Sequence, residues 1–168
     1  MPYAVTHVLI PIILVDLFRD HVVKHKKKYF TLHTIFLAGF GGLLPDIDLP
    51  LGYLLNYLGL STPLLIHRGI THTPFFALLF LVPGIILFMR NKHKLARFFF
   101  VIAFGIFMHT GLDFLFGGEQ GIMFFFPLSD YQFGTNSLFG GFGQLIAAGL
   151  DAIILLALSL IVWFFYKN

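Results

Sequence analysis

Five apolar runs take up more than half of this 168-residue chain: Tyr3 to Phe18, Phe30 to Leu44, Thr73 to Met89, Phe98 to Phe116 and Leu145 to Tyr166. Runs of that length bound what the chain can fold into, because a bilayer-spanning helix needs about 20 apolar residues, within a range of roughly 17–25. The last three runs meet that length. The first two are short, which points to tilted, partly interfacial or re-entrant segments. The solvent implied is lipid. Only 11% of residues are charged, against about 25% in an ordinary soluble domain. The expected fold is all-α: a single integral membrane domain over residues 1–168, a polytopic bundle of about five transmembrane helices. The first run is a poor signal peptide, since it has no basic leader and no small-residue cleavage site, and Asp16 interrupts its end. The chain has no cysteine, which excludes disulfides, thiolate metal sites and a cysteine nucleophile.

The distribution of basic residues orients the bundle. Arg19, Lys24, Lys26, Lys27 and Lys28 lie between the first two runs, Arg90, Lys92, Lys94 and Arg97 between the third and fourth, and Lys167 after the fifth. In an alternating bundle, these places share one face, leaving Arg68 alone on the other. The positive-inside rule assigns the basic face to the cytoplasm, so the N-terminus is expected outside and the C-terminus inside. The net charge of +3 is therefore a topology signal and an anionic-lipid contact, and no nucleic-acid partner is expected.

The same alternation gathers the chemistry. His7 opens the first run. Asp46 and Asp48 close the second, within Leu44-Pro45-Asp46-Ile47-Asp48-Leu49-Pro50. His67 and His72 lead into the third, within His67-Arg68-Gly69-Ile70-Thr71-His72-Thr73-Pro74. His109 and Asp113 lie near the end of the fourth. Start, end, start, end: all four blocks fall at the face opposite the basic loops. His109 and Asp113, four apart, share one side of a helix. Asp46 and Asp48 stand between prolines, so an extended stretch is expected, with both carboxylates pointing the same way. Thr73 is expected as a helix N-cap with Pro74 at the first helical position.

Imidazole and carboxylate without thiolate are ligands for Zn²⁺ or Mn²⁺. The expected metal ligands are His7, Asp46, Asp48, His67, His72, His109 and Asp113, for one or two divalent ions. Asp48 is expected either as a ligand or as a general base, Arg68 as a phosphate clamp, and Thr71 as a partner that orients a ligand. Ionisable groups within membrane segments are costly, and so are functional candidates. His21, His25, His33 and His93 accompany the basic loops and are expected to be interfacial. Asp151, inside the fifth run, suits helix packing or a substrate contact. The connection from Gly117 to Gln144 suits a lid or a membrane-skimming loop.

These motifs, with Thr6-His7 near the start and Pro127-Leu128-Ser129 later, resemble the membrane-bound, metal-dependent hydrolases related to the LexA-regulated YdjM-like proteins, in order and over most of the chain. The resemblance implies a metal-dependent hydrolase in a prokaryotic cell membrane. The chain is more distantly similar to zinc-dependent phospholipases C, which share an early His, a middle Asp, a later His and a His-x-x-x-Asp pair. It lacks their further downstream His and Glu ligands. The expected activity is hydrolysis of a phosphoester on a membrane lipid or lipid-linked substrate at the outer face. Two other classes fit the same residues: a metal-ion or proton transporter, and a non-enzymatic membrane scaffold holding a structural metal. Nothing in the pattern specifies an oligomeric state.

Overall fold

The computed structural model describes residues 4–23, 30–60, 67–116 and 121–134, together with positions 149, 151, 153 and 157. Among these residues the chain is helical, with one isolated antiparallel bridge between Ile122 and Phe133. Helix α1 (Ala4–Phe18) runs into a wider turn at Arg19–Val23. It is followed by α2 (Leu32–Leu43), a tight 3₁₀ turn at Pro45–Ile47, α3 (Asp48–Tyr57), a second 3₁₀ turn at Ile70–His72, α4 (Pro74–Met89) and α5 (His93–Phe116).

Helix α5 is the axis of the bundle and packs against α2, α4 and α1, while α1 also packs against α2. It begins at His93, five residues before the apolar run, because the charged Lys94 and Arg97 form its solvated first turns. At 24 residues it is about 36 Å long, and it is the one described helix that is long and apolar enough to cross a bilayer alone. Helix α2 with the Pro45–Tyr57 segment meets the same test as a broken pair bent by 50°. Helix α4, at 16 residues, is shorter than a full span. The expected five spans thus reduce to one or two among the described residues. The fifth run lies largely outside those residues, though positions 149, 151, 153 and 157 in it are helical.

The packing inverts the pattern of a soluble protein. Large apolar side chains such as Phe36, Phe40, Leu79 and Ile86 face outward, whereas the interior holds Ala38, Ala96, Ala103 and polar groups such as Thr6 and Thr34. Small residues let helix backbones approach where lipid removes the hydrophobic drive for helix association. Gly42 shows the closest approach: a Cβ there would overlap the His7 carbonyl oxygen. Pro11 has no N–H to return to that carbonyl, so α1 presents it to α2. Gly105 on α5 likewise sits against the Ala38 carbonyl and the Gly42 nitrogen, with no room for a side chain.

The segment around Asp46 differs from expectation. It is a 3₁₀ turn leading into a helix rather than an extended strand. Pro45 occupies the first position of the turn, and Pro50 the third residue of α3. Both lie in first turns, where a missing N–H costs no helical hydrogen bond. Thr73 and Pro74 do begin α4 as expected. The Thr73 hydroxyl makes no capping bond, however, and donates instead to the Ile70 carbonyl at 2.7 Å.

Candidate metal centre

Helix ends bring the four blocks together. His7, Asp48, Arg68, His72, His109 and Asp113 are each at most 2% exposed, deep burial for so many ionisable groups. Six charged or imidazole side chains cannot share one interior without partners, so the contacts of each one matter.

His109 is fixed first. Its Nδ1 lies 2.6 Å from the Gly42 carbonyl. A carbonyl only accepts, so Nδ1 carries a proton, and in the neutral ring Nε2 is left with its lone pair. His72 is fixed by a longer chain. The Thr71 hydroxyl donates to Asp48 Oδ2 at 3.0 Å. With its one proton so placed, its oxygen accepts from His72 Nδ1, 3.1 Å away. His72 Nε2 is therefore also a bare lone pair. These two Nε2 atoms stand 3.1 Å apart. Two ring nitrogens facing each other at that distance need a shared proton or a metal ion between them.

Two carboxylates flank the pair. Asp46 Oδ1 is 3.6 Å from both nitrogens. Asp113 Oδ2 is 3.5 Å from His72 Nε2 and 3.6 Å from His109 Nε2. Around an ion with bonds of about 2.0–2.1 Å, ligand atoms stand about 3.4 Å apart, close to each of these nitrogen-to-carboxylate distances. Asp46 Oδ1 and both Asp113 oxygens are buried with no hydrogen-bond donor, although such groups are nearly always satisfied. Charge agrees with geometry. Asp46, Asp48 and Asp113 against Arg68 leave two net negative charges while the imidazoles are neutral, and a divalent cation would neutralise them. Burial pushes His72 below its ordinary pKa, against the pull of Asp46, which favours the neutral, ligating form.

An outer layer supports these groups. His7 Nε2 lies 3.3 Å from Asp113 Oδ1, and its ring stacks on His109 at 3.8 Å. Arg68 Nε is 3.9 Å from Asp113 Oδ2. Arg68 has a φ of 63°, a left-handed conformation uncommon outside glycine, and the 121–134 loop donates to its carbonyl through the Met123 N–H at 3.3 Å. Burial lowers the Arg68 pKa while Asp113 and Asp46 oppose it; the group stays ionised.

Asp46 and Asp48 do not point the same way. Helical turns set residues two apart on nearly opposite sides, about 200° round, so the two carboxylates bracket one imidazole. Asp46 reaches the ligating edge of His72, and Asp48 its outer edge at 3.5 Å. Asp48 also accepts from His67 Nδ1, 3.2 Å from each oxygen. Both Asp48 oxygens are thereby engaged. Among the described residues, three groups bring ligand atoms within metal-binding reach: His7 with His109 and Asp113, Asp46 with His72 and His109, and Asp48 with His67 and His72. Every sequence-derived candidate belongs to one of them.

Sequence reasoning gave no weight to the Gly42 carbonyl, which orients His109; only the glycine-rich character of the second run hinted at it. Asp151 takes the packing role: its Oδ1 accepts from both the backbone N–H and the hydroxyl of Thr6, holding the first turn of α1 beside His7. Asp16, in the last turn of α1, pairs with Arg19 at 2.8 Å, at the far end of the helix from His7. His21, His33 and His93 also lie at that end, while His25 falls outside the described residues. Of the connection from Gly117 to Gln144, only 121–134 is described, and it packs on Arg68.

A helical bundle with apolar outer faces and a buried His–Asp cluster at its helix ends defines a membrane protein with a site that could hold a metal. The chain belongs to the YdjM inner membrane protein family, whose model matches residues 1–168. Comparison with curated proteins and with solved structures finds no match.

Proposed function

We propose that this protein is a metal-dependent hydrolase acting on a phosphoester of a membrane lipid or lipid-linked substrate at the extracytoplasmic face. The observation that carries the reading is the pair of Nε2 atoms of His72 and His109, 3.1 Å apart and flanked by carboxylate oxygens of Asp46 and Asp113. One divalent ion, Zn²⁺ or Mn²⁺, would be held by His72, His109 and Asp46, with Asp113 beside the same two nitrogens. A second ion on the His7 group would need His109 Nε2 again, and a ring nitrogen has a single lone pair to give. When bound, such an ion supplies Lewis acidity and lowers the pKa of water towards neutrality.

The remaining roles belong to the chain. Asp48 and Thr71 hold His72, Gly42 holds His109, and His7 steadies Asp113. His67 is redirected from ligand to acid–base group. Asp48 accepts a hydrogen bond from its Nδ1–H, leaving Nε2 to move a proton on a side chain that is 23% exposed. Asp46, at 26%, lies on the same accessible side, and structural metal sites lack such an opening. Arg68 balances the carboxylates, and its planar fork suits a phosphate oxygen. The outward placement rests on the basic loops at the other end.

The transporter reading finds less support. Below the cluster, Val15, Ile35, Ala38 and Val101 pack into an apolar core with Ile12, Phe30 and Leu37 against it, where a transport path needs polar groups. The test is phosphate or headgroup release from vesicles of phosphatidic acid and phosphatidylglycerol with added Zn²⁺ or Mn²⁺. Metal-dependent release by the wild type, abolished in His109→Ala and Asp113→Ala, is expected. Equal release by the folded variants would refute the reading.

A further inference from the structure

Helix α3 differs from its neighbours in how little of it is covered. Asp48, in its first turn, is its only buried residue. Leu49, Leu51, Tyr53, Leu54 and Tyr57 are each at least 39% exposed, and at about 100° per residue they spread over about 200° of the circumference. A single partner helix covers a stripe nearer 100° wide. Water suits the surface no better, since no charged residue occurs from Leu49 to Ile66. Lipid covers every open side of a helix at once.

The lengths agree with lipid. Helix α2, with 12 residues, rises about 18 Å. Helix α3, with 10 residues, is about 15 Å long, and at the 50° bend from α2 it adds about 10 Å in the same direction. Together they come close to the 30 Å or so of bilayer hydrocarbon. Helix α5 gives the same division independently. Its apolar part begins at Phe98, and His109 lies about 17 Å further on. The helix then continues for about 10 Å to Phe116, with Phe114 and Leu115 exposed. On both helices, about 10 Å of apolar surface extends past the His–Asp cluster, away from the basic turns.

We propose that α2 and α3 form one membrane span broken at Pro45, with α3 immersed in the lipid of the outer leaflet. The metal centre then lies at the break, about 10 Å beneath the outer edge of the hydrocarbon. Tyr53 and Tyr57, toward the end of α3, approach the interface, where tyrosine is enriched. Asp48 and Asp113, each 1% exposed, are walled off from lipid by protein, as ionisable groups inside a membrane must be. The inference concerns where the centre sits and does not depend on the hydrolase reading.

The experiment uses the full chain in vesicles of phosphatidylethanolamine and phosphatidylglycerol. The native chain has no cysteine, so a nitroxide is attached singly in Leu43→Cys, Leu51→Cys and Tyr57→Cys, all at exposed side chains where a label disturbs no packing. Collisions with oxygen, which concentrates in hydrocarbon, and with a water-soluble nickel chelate read the depth of each label. All three labels should meet oxygen more than nickel. Depth should decrease from Leu43 to Leu51 to Tyr57, the last two differing by about 6 Å. Equal depths at Leu51 and Tyr57 would mean that α3 lies along the interface, and would overturn the span. So would nickel collisions at Leu51 and Tyr57 as frequent as for a label in water, which would place α3 outside the membrane. Labels shielded from both oxygen and nickel would show a protein cover, such as a second copy of the chain, and would overturn immersion in lipid.

Discussion

Each ligating imidazole is aimed by a partner on its far edge, and neither partner acts through charge alone. For His72 the chain runs from Asp48 through the Thr71 hydroxyl to Nδ1. Thr71→Val keeps the shape and removes the acceptor, so Nδ1 no longer has a fixed proton and the ring can adopt the wrong tautomer. Loss of such an outer partner costs about 10–100-fold in metal affinity. Chelator competition on Thr71→Val should read a loss of that size with the helical signal unchanged; unaltered affinity would show that the hydroxyl is idle. Protons compete for the same lone pairs. Burial holds the His72 pKa below its ordinary value, so its neutral form persists to a pH below about 6.5. Metal affinity should therefore fall on acidification, as protons take the ligating lone pairs. Affinity that rises on acidification would contradict neutral histidine ligands.

At the scale of elements, the tightest junction is where α1, α2 and α5 meet at Gly42, whose Cα lies against the His7 carbonyl and whose own carbonyl holds His109. A methyl group there overlaps the His7 carbonyl of α1. Gly42→Ala should cost about 1–3 kcal/mol of stability, as overpacking does, and lower metal occupancy as well, because two cluster residues shift with the backbone. Unfolding in detergent with parallel metal analysis checks both effects. Convergence of the four blocks was legible in the sequence, because antiparallel alternation alone sends His7, Asp46, His72 and His109 to one end. The fold of Asp46 and Asp48 was not. Flanking prolines exclude the middle of a helix but suit its first turn, and sequence alone does not say which of the two applies. The roles of Asp48 and His67 were hidden for the same reason, since they depend on a rotation of about 200° between Asp46 and Asp48. Gly42 was illegible for another: its contribution is a carbonyl, which every residue has.

For the whole molecule, outward Phe and Leu, inward glycine and threonine, and a His–Asp cluster at the end opposite the basic turns describe a bundle built for lipid. The absence of cysteine makes orientation directly measurable. A cysteine at Leu128, which is 84% exposed, should react with an impermeant maleimide in intact cells, and one at Asn91 only after lysis; the reverse would invert the topology. The central claim concerns the ion itself. Metal content of protein purified without chelator should be measured for the wild type beside an Asp46→Ala, His109→Ala double variant. About one equivalent of zinc or manganese is expected from a single set of lone pairs, with none in the folded double variant. A wild type without metal that also fails to take up added Zn²⁺ or Mn²⁺, or a double variant that keeps its ion, would contradict the account.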